Sequence, residues 1–278
     1  MRKIFGLLLL PLLLSFSEKP AELCVMTFNI RYDHAGDGEN AWPHRKEVAA
    51  EVIRARGVDL LGMQEVLAHQ LNDLKERLPE YRAIGAGRED GKEKGEYSAI
   101  MYRADRFEAI DSGWFWLSET PEVAGSKGWD GACERMATWA ILKEKKTGRE
   151  LFFINTHLDH VGKVARSEGV ALLLRRTETL RRGLPVILTG DFNATPDTDV
   201  FTHVTRTLRD SRSIAQNVTG LRGTFHNFGK IVETERPLID YVFLTDDFTV
   251  QTYETLPEKK DGIYLSDHAP VVAKLAWK

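Results

Sequence analysis

PVILTGDFN, residues 185–193, is the stretch on which the fold turns. An apolar run without polar alternation suits a strand covered on both faces. It leads straight into Gly190, Asp191 and Asn193, residue types that end strands in turns. An acid and an amide therefore stand at the C-terminal end of a buried strand. The same arrangement recurs upstream. LCVMTFNI (23–30) carries Asn29 near its end, DLLGMQE (59–65) closes on Glu65, and LFFINTHLDH (151–160) closes on His157, Asp159 and His160. Further along the chain the order reverses: Asp240 opens DYVFL (240–244), and Asp267 and His268 open DHAPVVAKL (267–275). In a mixed sheet, strands running one way bring their C-terminal ends to an edge, and antiparallel neighbours bring their N-terminal ends to that same edge. Polar groups after four runs and before two others can thus converge on one rim, where rigid strands would preform an active site. Each residue alone could equally close a strand or a turn; the set carries the reading.

Further apolar runs of strand length lie at 98–102, 107–117, 137–142 and 269–275, while helical periodicity marks 43–56, 67–78 and 163–182. Strands plus a few helices, without strict strand–helix alternation, predict an α/β fold. Its form is a four-layer sandwich of two packed mixed β-sheets flanked by helices. No linker or internal repeat divides the chain, so residues 20–278 are expected to form one domain.

Residues 1–19 are expected to be a signal segment. Arg2 and Lys3 precede an apolar run at 4–14 and then small polar residues, a pattern too short for a membrane anchor. The mature protein is expected to be secreted or periplasmic, monomeric and without stable membrane insertion. Of its two cysteines, Cys24 lies in an apolar run and Cys133 in a polar one, which favours two free thiols. A formal net charge of -3 argues against a basic face for long nucleic acid. It leaves room for a nuclease that grips only a few phosphates.

The blocks TFNIR, MQE, NTHLDH, GDFNATPD, LIDYVF and LSDHAPV, in that order, resemble the signatures of the endonuclease/exonuclease/phosphatase superfamily, whose members include deoxyribonuclease I. The resemblance spans residues 22–277, and DGENAWPHRKE (37–47) resembles a bacterial branch of it. It implies that Glu65 is the principal metal carboxylate, with Asn29 and Asp267 close to the ion, Mg²⁺ or Mn²⁺. It implies that Asp191 and Asn193 orient water, phosphate or a second ion. His268, held by Asp240, would serve as general base or phosphate ligand, and His157 would be the second histidine. GEYSAIMYR (95–103) resembles the deoxyribonuclease I segment in which a glutamate orients that histidine, making Glu96 the partner of His157.

The chemistry fits independently. Phosphoester cleavage needs an activated water, charge neutralisation and help for the leaving oxygen, which a hard cation on oxygen ligands and carboxylate-held histidines supply. Arg135 is a candidate phosphate contact, and Asp159 and His160 are expected to line the pocket. Trp42 is expected in the core, and His34, His44, His69, His203 and His226 on the surface. A binuclear metallophosphoesterase of another fold would need a GNHD block, which is absent, and an inactive binding module would lack Glu65 or His268. The expected activity is a metal-dependent phosphodiesterase with nuclease action leading. Phospholipid, inositol phosphate and sugar phosphate esters are the alternatives.

Overall fold

The computed structural model describes residues 22–278, so the expected signal segment lies outside the described residues. In chain order the first half comprises β1 (Glu22–Asn29), α1 (Trp42–Ala55), β2 (Leu60–Val66), α2 (Ala68–Arg77), β3 (Tyr81–Ile84), β4 (Tyr97–Arg103) and β5 (Phe107–Trp116). The middle comprises β6 (Met136–Glu144), β7 (Glu150–His157), α3 (Lys163–Leu180), β8 (Val186–Asp191), α4 (Asp199–Thr205), β9 (Arg209–Asp210), α5 (Ser211–Ile214) and β10 (Asn217–Gly220). The last part comprises β11 (Asp240–Leu244), β12 (Phe248–Thr255), β13 (Lys259–Lys260), β14 (Ile263–Tyr264) and β15 (Val271–Trp277).

One sheet runs β10-β12-β15-β1-β2-β4-β3 and the other β5-β6-β7-β8-β11-β9. Each is mixed: β1 and β2 are parallel, as are β7 and β8, and the strands flanking each pair run antiparallel to it. Alternation along the strands divides the apolar residues into three layers. Met26, Phe28 and Leu61 face α1 and α2, where they meet Ile53 and Leu74. Ile154, Leu188 and Phe243 face α3 and α4, meeting Leu173 and Val204. Val25, Leu60, Phe153, Ile187 and Val242 point inward and join the sheets. This is the expected four-layer sandwich. Each such side chain contributes about 1.5–3 kcal/mol on burial. Among the described residues no helix is long and apolar enough to cross a membrane.

The layer between the sheets is not wholly apolar. Asn155 on β7 donates from Nδ2 to the carbonyls of Met63 (2.8 Å) and Ala99 (3.0 Å), on β2 and β4 of the other sheet. Its Oδ1 accepts from Gln64 Nε2 (2.7 Å) and Thr189 Oγ1 (3.1 Å), which uses the amide's full bonding capacity. Gly62 makes the room, since a Cβ there would fall 2.0 Å from Thr189 Oγ1 and 2.6 Å from Asn155 Oδ1.

The long expected strands and helices form with shifts of a few residues at their ends. The sequence reading missed β3, α4 and β12, and the short elements β9, α5, β10, β13 and β14. In β12, Phe-Thr-Val-Gln-Thr-Tyr-Glu-Thr, burial swings between buried and half-buried, so no continuous apolar run marks it. Both cysteines are free thiols, Cys24 buried and Cys133 partly so. Burial pushes the Cys24 thiol up to about 12, with nearby Asp59 adding to the shift.

Candidate active site

The C-terminal ends of β1, β2, β7 and β8 and the N-terminal ends of β4, β6, β11 and β15 meet at one rim around a cavity of ≈ 580 Å³. Backbone irregularity aims several side chains into it. The β2–β4 register shifts between Met63 and Val66, and Glu65 sits in that bulge at φ 61. Asn193 (φ 46), two residues past the β8 strand end at Asp191, and Arg31 (φ 58), just beyond β1, are also left-handed. Such conformations cost about 1–3 kcal/mol each in a non-glycine residue, least in asparagine, and they cluster where a site requires them.

Asn29 joins the two halves of the rim. Its Nδ2 lies 3.1 Å from Glu65 Oε1, 3.0 Å from Asp191 Oδ2 and 3.5 Å from His268 Nε2. His268 Nδ1 lies 2.9 Å from Asp240 Oδ2, and its Nε2 is 3.8 Å from Asp191 Oδ2. Burial disfavours charge on His268, but Asp240, Asp191 and Asp267 outweigh it and raise its pKa well above the ordinary histidine value. His157 is different. Asn193 Nδ2 donates to the Leu158 carbonyl (3.0 Å), which fixes the amide's orientation, and its other hydrogen faces His157 Nε2 at 3.1 Å. The same Nε2 lies 3.5 Å from Asp191 Oδ2. Burial, with Arg135 and Arg88 nearby, pulls the His157 pKa well below the usual range.

The carboxylates crowd one another. Burial and the nearby Asp240 push Asp191 up to about 7. Burial raises Asp267 against the pull of His268, and Glu65 adds to the rise. Arg31 is the cation among them: it makes a two-pronged contact with Asp37 (3.0 and 3.2 Å) and stands 3.8 Å from Glu65 and 3.9 Å from Asp267. A cluster of hard oxygen donors whose negative charges repel fits a divalent cation. Glu65 and Asp267 would hold it; Asn29, expected close to the ion, instead turns Nδ2 toward Glu65 while its Oδ1 accepts from the Arg31 N–H at 3.0 Å, so it braces the ligand rather than binding the cation. Asp191, Asp240 and His268 also cluster tightly enough to bind an ion. The Asp240–His268 hydrogen bond already uses one donor and one acceptor there, so that trio works better as a proton-handling group.

Three further expectations need correction. Glu96 reaches the cavity but bonds Arg88 Nη1 at 2.7 Å, and His157 finds Asn193 instead. Glu96 precedes β4 and a guanidinium lies nearer, so the Glu96–His157 pair does not form; the carboxylate beside His157 is that of Asp191, 3.5 Å away. Asp159 does not line the cavity. Its oxygens accept from the backbone N–H groups of Val161, Gly162, Ala132 and Cys133 at 2.6–3.3 Å, fastening two loops. His226, expected on the surface, is fully buried: Nδ1 accepts from Gly229 N (3.2 Å), and the ring stacks on Tyr264. Trp42 is buried as expected.

Arg135 and His160 do line the cavity, with Arg135 Nη2 3.1 Å from His160 Nδ1. Arg135 is 6% exposed, and its Nη1 has no hydrogen-bond partner, as a donor awaiting an anion would. Sequence reading missed several other wall residues: Arg31, Tyr32 and Asp37 after β1, Arg88 after β3, and Phe225, Asn227, Phe228 and Lys230 before β11. They sit in loops, where nothing in the sequence separates them from solvated residues.

A two-sheet sandwich with this rim of acids, amide and histidines defines a metal-dependent phosphoesterase. The chain belongs to the endonuclease/exonuclease/phosphatase family, which residues 26–268 match. It is accordingly an enzyme, a hydrolase of phosphate esters. It is similar to an endonuclease/exonuclease/phosphatase from Bacteroides vulgatus, 41% identical with TM-score 0.89 over 93% of this chain and 100% of that one. It is also similar to the mannosyl-6-phosphatase of Bacteroides thetaiotaomicron, at 40% identity and TM-score 0.88, covering 92% of this chain and 100% of that one. The human Nocturnin catalytic domain shares the fold at 22% identity and TM-score 0.72, over 93% and 94% of the two chains. No curated protein matches the sequence.

Proposed function

We propose that this enzyme is an exported, Mg²⁺- or Mn²⁺-dependent phosphomonoesterase that hydrolyses a sugar phosphate. The observation that carries the reading is the cavity: ≈ 580 Å³, with Tyr32, Phe225 and Phe228 among its walls and Arg88, Arg135 and Lys230 beside them. That volume suits a small ligand. A duplex would need an open basic face, against a net charge of -3. The 40% identical mannosyl-6-phosphatase supports the same substrate class. This reading replaces nuclease action as the leading activity.

A bound divalent cation neutralises phosphoryl charge and lowers the pKa of water. The chain's own residues do the rest. Arg135 Nη1 binds a phosphoryl oxygen. Asp191, held by the Asn193 N–H at 2.9 Å, orients the attacking water and accepts its proton. Asp240 fixes the His268 ring so that Nε2 faces Asp191 and donates to the phosphate or its leaving oxygen. His157, held by Asn193 and 3.5 Å from Asp191, packs the wall beside them, and Asn29 holds Glu65 and Asp191 in one frame.

The test is a parallel assay of hexose 6-phosphates, inositol phosphates, bis-p-nitrophenyl phosphate, sphingomyelin, RNA and plasmid DNA, with Mg²⁺ or Mn²⁺ and with EDTA. Hexose phosphates should show the highest kcat/KM, and EDTA should abolish turnover until metal is restored. A higher kcat/KM on DNA or the diester would return the enzyme to the nuclease reading. Export rests on the basic-then-apolar segment at 1–19 and is tested by fusing it to a reporter and locating the product.

A further inference from the structure

The turn at 225–230 is built with unusual constraint. The backbone N–H groups of His226 and Asn227 both donate to the carbonyl of Asp267, at 3.0 and 3.1 Å. The buried His226 ring takes the Gly229 N–H and stacks on Tyr264, while Lys230 N and Ile231 N close back on the carbonyls of Asn227 (3.1 Å) and His226 (3.1 Å). Asn227 (φ 48) and Phe228 (φ 52) are consecutive left-handed residues, uncommon for a bulky side chain. A Cβ at Gly229 would fall 2.1 Å from the Tyr264 hydroxyl, so the turn can approach no more loosely than glycine allows. Strain of this kind persists only where the surroundings enforce it, and an observed outlier is a reason to look for function.

What the turn presents to the cavity is partly unspent. Phe228, Asn227 and Lys230 all line the active-site cavity. Phe228 is half-buried, with its ring edge-on to Tyr264 at 5.7 Å and the Arg45 guanidinium 5.8 Å from its centre, so one face is left for a ligand. Among the described residues, neither the Asn227 amide nor the Lys230 ammonium makes a side-chain hydrogen bond or ion pair. At the start of the turn Phe225 lies 4.9 Å from the His268 ring. An apolar ring, an amide and an ammonium thus stand together one residue group away from the reacting phosphate. A monosaccharide offers the matching chemistry: an apolar C–H face and a fringe of hydroxyls.

We propose that this turn is the leaving-group subsite, with the sugar ring seated on Phe228 and its hydroxyls met by Asn227 and Lys230. The proposal rests on the sugar phosphate reading above and adds where selectivity is set. It is tested by the ratio of kcat/KM for a hexose 6-phosphate to that for methyl phosphate, an alkyl ester without a ring, together with inhibition by the free hexose. Phe228→Ala should lower the ratio about tenfold or more, mainly through KM, the usual scale of one lost pocket contact. It should also weaken hexose inhibition, and Phe228→Tyr should restore both. Lys230→Gln and Asn227→Ala should lower the ratio several-fold, and these exposed or half-exposed positions carry the test if Phe228→Ala does not fold. An unchanged ratio in all three variants, with unaltered melting temperatures, overturns the subsite while leaving the sugar phosphate reading intact. Wild-type enzyme that turns over other esters and ignores hexose phosphates overturns that reading and, with it, the sugar as occupant.

Discussion

The two halves of the sandwich carry the same unit at their centres. In one, β1 and β2 run parallel through α1 and are flanked by antiparallel β15 and β4; in the other, β7 and β8 run parallel through α3 and are flanked by β6 and β11. Each unit delivers side chains from equivalent strand ends to the rim. The first supplies Asn29, Glu65, Glu96 and the pair Asp267 and His268; the second supplies His157, Asp191, Arg135 and Asp240. The same geometry has been given different chemistry. The first half gathers oxygens around Arg31, a place that favours positive charge. The second holds the unpartnered Arg135 donor and the proton-handling Asp191. His268 is where they cross: it grows from the first half and bonds Asp240 in the second. Equivalent positions in a topology thus fix where a side chain goes and leave open what it does.

Substitutions can break that division. The largest effect should come at the crossing point. His268→Ala should lower kcat about 10²–10⁴-fold, and added metal should not recover it. Asp240→Asn should act in the same direction more weakly, by loosening the ring. Glu65→Gln should behave otherwise, losing about tenfold or more at low metal and regaining much of it as Mn²⁺ is raised, because a ligand is weakened and the proton path is not. Calorimetric Mn²⁺ titration of both variants sharpens the contrast. If metal rescues His268→Ala and fails to rescue Glu65→Gln, the halves have been assigned the wrong way round.

The interface between the halves should show smaller effects. Gly62→Ala drives a methyl into Thr189 and Asn155 and should destabilise by about 1–3 kcal/mol, read as a melting temperature several degrees lower. An unchanged melting temperature would mean that the sheets part easily. The smallest effect concerns the thiols. With Cys24 buried and pushed up to about 12, iodoacetamide at pH 8 should label Cys133 well before Cys24 in the folded protein. Raising the pH toward 12 exposes more Cys24 thiolate and should narrow the gap.

The rim was readable because its residues interrupt long apolar runs, and an apolar run has few ways to end. GDFN and SDHAP mark strand ends whose partners follow from antiparallel pairing. The same signal misled at Asp159, which also follows an apolar strand yet spends both oxygens on loop N–H groups. Strand-end position says that a carboxylate can reach the rim and nothing of which donors compete for it. Glu96 met that limit too, since Arg88 arrives from a loop. Phe228, Lys230 and Arg88 were illegible for a different reason: loop residues owe their direction to tertiary contacts, such as the tie from Asn227 to the Asp267 carbonyl, that have no periodic trace. Arg45 is a further case. It lies in the polar stretch DGENAWPHRKE, yet it is fully buried and donates to the carbonyls of Asn40, Ile30, Arg31 and Leu265.

Apolar faces attract without choosing a register, so two greasy sheets could in principle shear over one another. Asn155 removes that freedom. A slip of one residue step, roughly 3.3 Å, would strand its amide hydrogens and the Met63 and Ala99 carbonyls where no water reaches. That would cost about 1–3 kcal/mol for each unmet group. The 2.9 Å hydrogen bond from His268 to Asp240 reaches from one sheet to the other, so its length is only as reliable as their alignment. A single amide deep in the interior, with no part in the chemistry, thus sets the mechanical tolerance to which the catalytic rim is assembled.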